Sequence, residues 1–206
     1  MIRRFRRPSA LLLLVAFFAS SVTLGAVKFT STWAAPDAAK ITFKGQKVVA
    51  LVMSDDISLR MSAEEALTRE LTARGMNGVS AYRLIPREEL KDPERARGWF
   101  EREAVAGVVA LRPVGQHKEK RYPADIWASP TYSTLWGYYP YGWTTVYVVG
   151  SNPTDTVLVV ESLIFQVSTG KLVWGGVSET TNPKSLQALV ADIVKEAAKK
   201  IEKQFR

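Results

Sequence analysis

Apolar and polar positions alternate with two different periods along the chain, and the change of period marks its elements. Lys47-Val-Val-Ala-Leu-Val-Met53 is a near-continuous apolar run, as expected of a strand covered on both faces. A helix is predicted from Ser62, where Glu65 completes a capping box. Ala63, Ala66, Leu67 and Leu71 form its inner stripe, Glu65/Arg69 and Glu70/Arg74 pair outside, and Gly75 ends it. Val79 to Ile85 reads as a second strand. Asp92-Pro93-Glu94 opens a second helix, with Asp as N-cap and Pro at the first helical position. Gly107 to Val114 is a third strand. Strand, helix, strand, helix, strand over this length predicts parallel pairing with right-handed crossovers.

Beyond residues 115–143 the signals turn antiparallel. Strands are predicted at Thr144 to Val149, Thr156 to Gln166 and Lys171 to Thr180, the last two joined by Ser168-Thr-Gly170. Asn182-Pro183 is expected to cap a final helix. Its Leu186, Leu189, Val190, Ile193, Val194, Ala197 and Ile201 make one apolar stripe against a sheet face. The pattern predicts one α/β domain over 47–206. Its mixed sheet has a parallel βαβαβ amino-terminal half, followed by antiparallel strands and a carboxy-terminal helix. Residues 27–46 are expected to be an extended lead-in, with one candidate edge strand at Lys40 to Phe43.

The first 26 residues read as an address. Arg3, Arg4, Arg6 and Arg7 precede the apolar run Ala10 to Ala19, which trails into small residues ending at Ala26. That is the form of a secretory signal peptide. The alternative, an uncleaved anchor, is disfavoured because the run is about half a bilayer span. Cleavage is expected after Ala26, with Ala34 as a second candidate. Leu24-Gly25-Ala26-Val27 has the shape of a lipobox with Val27 where the lipidated Cys would stand; it is equally an ordinary cleavage site. The chain has no Cys to acylate. The expected product is therefore periplasmic or secreted, not lipid-anchored, and without a stable membrane span.

Charge changes meaning in that light. The formal +8 rests on 28 Lys plus Arg against 20 Asp plus Glu. Removing residues 1–26 takes away four Arg and no acid, which leaves +4 over 180 residues, so no nucleic-acid partner is expected. With no Cys and a single histidine, His117, thiolate zinc sites, iron–sulfur clusters, cysteine nucleophiles and two-His metal sites are excluded. No metal, cofactor or catalytic residue is read from the sequence. Asp55 and Asp56 follow the first strand, where open α/β sheets place ligands, but lack a glycine loop, nucleophile elbow or nearby histidine to work with. Glu161, inside an apolar strand, also has no evident catalytic companion.

The chemistry that stands out is aromatic. Tyr122 to Trp143 holds eight of the 18 aromatic residues beyond residue 26, mixed with Pro123, Pro130, Pro140, Gly137 and Gly142. Prolines and glycines argue against a regular helix here. Tyr and Trp pair large apolar area with a polar tip, which suits protein surfaces and glycan rings. Three readings stay open: a partner-binding loop presenting Trp136, Tyr138, Tyr139, Tyr141 and Trp143, rings folded back to complete the core, or local disorder. The adjoining basic cluster His117-Lys-Glu-Lys-Arg121 is expected to be solvated.

Three stretches carry a resemblance. They are Thr30-Ser-Thr-Trp33-Ala-Ala-Pro36, the strand and helix from Lys47 to Gly75, and Val157 to Pro183. The last contains Thr169-Gly-Lys-Leu-Val-Trp174-Gly-Gly and Ser178-Glu-Thr-Thr-Asn-Pro183. Together they resemble a group of small bacterial cell-envelope proteins of unknown function, mostly lipoproteins. The resemblance implies an α/β sandwich similar to the TolB amino-terminal domain and to outer-membrane activators of penicillin-binding proteins. Fold likeness transfers no function, and Val27 departs from the lipid-anchored pattern. The expected role is that of a non-catalytic envelope protein binding an envelope protein or peptidoglycan. The alternative is an oligomerising assembly or structural factor acting through a free sheet edge.

Overall fold

The computed structural model describes residues 26–114, 123, 125–144 and 157–204. Residues 1–25 of the expected export signal, the basic cluster at 117–121, Tyr122, residues 145–149 of the strand expected from Thr144, and Thr156 lie outside them. In chain order the elements are β1 (Lys28–Ala34), β2 (Lys47–Val52), α1 (Ile57–Ala73), β3 (Asn77–Ser80), α2 (Ala81–Leu84), α3 (Pro93–Arg102), β4 (Gly107–Val114), α4 (Leu135–Gly142), β5 (Val157–Gln166), β6 (Leu172–Thr181) and α5 (Leu186–Gln204).

The strands form one mixed sheet in the order β1-β6-β5-β4-β2-β3. β2 runs parallel to both β3 and β4, while the β4–β5, β5–β6 and β6–β1 pairs are antiparallel. The expected mixed α/β class, with its parallel half, antiparallel half and final helix, is what the chain adopts. β2 explains the layering, because its side chains alternate between two apolar cores. Val48, Ala50 and Val52 meet Ala66, Leu67 and Leu71 of α1 and Leu189, Val190 and Ile193 of α5. On the other face, Val49, Leu51 and Met53 meet Ile85, Leu90, Phe100 and the aromatic segment.

Several boundaries differ from the sequence pattern, each for a local reason. α1 begins at Ile57, because Asp56 supplies an N-cap six residues before Ser62 by accepting from the Leu59 N–H at 3.0 Å. Glu65 is not the far arm of a capping box; it accepts from the Tyr82 hydroxyl at 2.7 Å and the Ser80 hydroxyl at 3.1 Å. The strand expected over Val79 to Ile85 stops at Ser80 and turns into α2. There the buried Glu64 carboxylate accepts from the Tyr82 N–H at 2.8 Å. Lys40 to Phe43 is not a strand, and Ala38–Lys40 is a 3-10 turn. The edge strand is β1, so residues 28–34 belong to the sheet and not to a separate lead-in. Their alternation of small polar and aromatic residues carries little apolar signal.

Asn182 does not cap α5. It sits at φ 49°, and the helix starts after Ser185, whose hydroxyl accepts from the Ala188 N–H at 3.1 Å. α4 forms despite its proline, since Pro140 stands in the last turn of an eight-residue helix and removes only one donor. Two expectations match closely: Asp92 caps α3 through the N–H groups of Glu94 and Arg95, and β4 spans Gly107–Val114. In the β5–β6 turn Gly170 takes a left-handed φ of 66°.

Candidate functional site

The aromatic segment is fastened to the sheet before it can present anything. Thr134 bridges Lys171, the Leu135 N–H donates to the Gly170 carbonyl at 2.7 Å, and the Leu172 N–H donates to the Ser133 carbonyl at 2.9 Å. The Thr134 hydroxyl caps α4 by accepting from the Gly137 N–H at 3.1 Å. These bonds lay α4 over the face of β4, β5 and β6. Leu135, Tyr138, Tyr139 and Gly142 turn inward, joined by Trp127 and Tyr132. A Cβ on Gly175 would stand 2.8 Å from the Trp127 ring, so β6 has a glycine where this indole is seated.

Beneath the rings lies an ion pair. Arg112 of β4 and Glu161 of β5 are cross-strand partners, joined Nη1 to Oε2 at 3.2 Å. Tyr132 donates to Glu161 Oε1 at 2.9 Å and Tyr138 to Oε2 at 2.8 Å. Arg112 Nη2 donates to the Thr144 hydroxyl at 3.1 Å, and its guanidinium lies 4.6 Å from the centre of the Tyr141 ring. Burial, reinforced by the Glu161 charge, pushes the hydroxyls of Tyr132 and Tyr138 well above the usual phenol range. Burial, the largest single influence, opposes the charge on Arg112, but Glu161 together with Tyr138 and Tyr141 outweighs it and holds the guanidinium more firmly protonated. The network therefore keeps two phenols as fixed donors to one carboxylate. It holds the aromatic segment to the sheet, and burial keeps the Tyr132 and Tyr138 hydroxyls protonated.

At the carboxyl end of β2 the Asp pair divides its work. Asp56 is the α1 cap and Asp55 pairs with Lys91. Nearby, Glu64 is fully buried and accepts from the Val52 N–H at 3.1 Å as well as from Tyr82. Burial raises its pKa to about 7, against the lowering effect of those two bonds. Tyr139 donates to the Leu90 carbonyl at 2.6 Å; burial, helped by the Glu64 charge, raises its pKa. Among the described residues, no group of three His, Cys, Asp or Glu is arranged to hold a metal ion.

The five candidate binding residues thus separate. Tyr138 and Tyr139 are fully buried, so their rings belong to the core and cannot form a contact surface in this conformation. Tyr141 is half-buried between Arg112 and the Tyr132 hydroxyl, which lies 3.3 Å from its own. Trp136 and Trp143 are half-buried with Pro140 exposed between them. Their i, i+4, i+7 spacing puts all three on the outer side of α4. Arg97 of α3 stands 4.6 Å over the Trp136 ring and Lys91 5.7 Å over that of Trp143. The sequence reading missed Arg97, Lys91 and Pro140 as members of this surface. It also missed the Arg112–Glu161 pair, although opposite charges inside two apolar strands are a usable signal.

No known protein family matches the chain, and no curated protein does. Among solved structures, it is similar to the PelC dodecamer from Paraburkholderia phytofirmans, with 17% identity over 84% of this chain and 94% of that one, at a TM-score of 0.44. A point variant of that protein gives 17% identity, 84% and 95% coverage, and 0.45. Lipoprotein GNA1162 from Neisseria meningitidis gives 14% identity over 77% of this chain and 99% of that one, at 0.38. Neither a TolB domain nor an activator of penicillin-binding proteins is among these three. Likeness at this level says nothing about what this chain binds. Among the described residues, no helix is long and apolar enough to cross a membrane.

Proposed function

We propose that the protein is an exported, non-catalytic envelope protein that binds a protein or peptidoglycan partner through the outer side of α4. The single observation that carries this reading is the row Trp136, Pro140, Trp143, flanked by Arg97 and Lys91. The rings are held from beneath by the core: Trp136 lies 6.0 Å from Phe100 and 5.7 Å from Tyr139, centre to centre, and Trp143 lies 6.2 Å from Tyr139. Rings fixed in this way lose little entropy on binding, and aromatic residues with Arg are what contact centres are made of. Each cationic flank already has an acidic neighbour, Asp55 for Lys91 and Glu94 for Arg97, so the row offers a partner aromatic area more than net charge. The export signal at residues 1–26 supplies the compartment. Asp55 and Asp56, each engaged in a structural bond, support the non-catalytic part.

Photo-crosslinking from positions 136 and 143 in cells tests the reading. Specific adducts are expected from both positions and none from an exposed control such as 98; their absence from both sinks the proposal. The oligomerising alternative has one observation in its favour, the outer edge of β1, which bears no partner strand among the described residues. Its register shift between Phe29 and Ser31 blunts that edge. A strict monomer by light scattering would remove this alternative.

A further inference from the structure

We infer that the carboxyl edge of β2, where α1 begins, binds a small oxyanion, a phosphate or carboxylate group held by Arg60. The site rests on a buried arginine and not on the outer side of α4, so it is independent of the surface proposed above.

The topology marks this edge. β2 stands between β3 and β4 in the sheet. The crossover from β2 to β3 runs through α1, which packs in the core shared with α5. The crossover from β3 to β4 runs through α2 and α3, which pack in the core shared with α4. The two crossovers therefore lie on opposite faces of the sheet. Open α/β sheets bind ligands outside the carboxyl ends of their strands at such a switch point. The N–H groups of the first turn of α1 face the same edge and favour negative charge there.

Arg60, the fourth residue of α1, points to a ligand independently. It is 5% exposed, its Nε is buried without a hydrogen-bond partner, and it forms no ion pair among the described residues. Side chains on a helix lean toward its N-terminus, which carries this guanidinium over the first turn. Its charge is felt by Glu64 and by the Tyr139 hydroxyl, and neither serves as its counter-ion. The two Glu64 oxygens accept from the Val52 and Tyr82 N–H groups, and with a pKa of about 7 this carboxyl is neutral in mild acid. Tyr139 keeps its proton and donates it to the Leu90 carbonyl.

The acids nearby are already balanced. Asp55 pairs with Lys91, and Asp56 and Asp92 each cap a helix. Arg112, the other buried arginine among the described residues, has Glu161 at 3.2 Å. A buried guanidinium without such a carboxylate is strongly destabilising. An oxyanion supplies both the missing charge and the missing acceptors, and its geometry matches the guanidinium fork.

Nuclear magnetic resonance titration of the purified protein at pH 6 and constant ionic strength, with inorganic phosphate and separately with acetate, tests the proposal. The Arg60 Nε–H resonance is expected to shift and saturate with at least one of the two, and the tighter one identifies the head group. Arg60→Gln is expected to weaken that anion at least tenfold and to lose the rise in melting temperature that it gives the parent. In anion-free buffer the same variant should melt no lower than the parent, because it removes an uncompensated charge. Arg69→Gln, exposed on α1 more than two turns further along, is expected to leave binding unchanged. An Arg60 Nε–H resonance that saturates with neither anion overturns the proposal, as does parental affinity in a folded Arg60→Gln variant. Should that variant fail to fold, the titration of the parent decides the matter alone.

Discussion

Arg112 and Glu161 face each other across β4 and β5 at 3.2 Å, with side chains only 3% and 0% exposed, and the aromatic segment closes over them. A buried pair of this kind is a poor net source of stability, because removing both charges from water costs nearly what their attraction returns. Its asymmetry is the useful property. Loss of one partner strands the other charge under Tyr132, Tyr138 and Tyr141.

Glu161→Gln is accordingly expected to lower the unfolding free energy by about 3–5 kcal/mol. Arg112→Met combined with Glu161→Gln should lose clearly less than the sum of the two single changes. Urea denaturation of the three variants and the parent provides the cycle. Strict additivity would mean that the two side chains do not act as a pair.

Glu64 gives the protein a pH dependence opposite to that of a salt-bridged carboxylate. Its folded pKa is about 7, above the unfolded value of 4.5. Between these values the unfolded chain releases this proton while the folded chain keeps it, so stability falls as pH rises. The loss is complete above about pH 7 and amounts to about 3 kcal/mol. Glu64→Gln cannot ionise and lacks one acceptor, which gives it a fixed deficit without this slope. The gap between parent and variant should therefore shrink from pH 4.5 to 7 in chemical denaturation, and parallel profiles would contradict the assignment.

The two periods of apolar residues made the layers of the fold legible. The run Val48 to Met53 fills both cores by alternation, and the stripe from Leu186 to Ile201 lies on a sheet face. β1 was not legible, because Lys28–Ala34 pairs through its backbone and has few large apolar residues to betray a strand. The start of α1 was misjudged because two polar residues compete as caps, and only the contact of Leu59 with the core favours Asp56. In the candidate site, the residue types were visible but their direction was not. Tyr138 and Tyr139 differ from Trp136 and Trp143 only in which side of α4 they occupy, and that follows from the hydrogen bonds of Ser133 and Leu135 to the β5–β6 turn.

That division of α4 has a measurable consequence. Tyr139→Ser removes a buried ring and its bond to Leu90, and is expected to cost about 3–5 kcal/mol. Trp136→Ser and Trp143→Ser remove half-exposed rings and should cost about 1 kcal/mol each. Thermal melts rank the three variants. If Trp136→Ser proved as damaging as Tyr139→Ser, its ring would be core and not contact surface.

Two glycine-to-alanine changes are expected to have opposite signs. At Gly175 a Cβ would stand 2.8 and 2.9 Å from carbons of the Trp127 ring and 3.2 Å from Leu163. Trp127 is fully buried and cannot retreat, so Gly175→Ala should destabilise by about 1–3 kcal/mol through overpacking. Gly98 lies in the interior of α3, exposed, with nothing within 4 Å of an added Cβ. Gly98→Ala changes only helix propensity and unfolded-chain entropy, and should stabilise by about 0.5–1 kcal/mol. Because the two sites share no partner, the double variant should return the sum of the single effects. Equilibrium unfolding of the four proteins checks both signs, and a stabilising Gly175→Ala would show that the Trp127 ring is not seated against β6 as described.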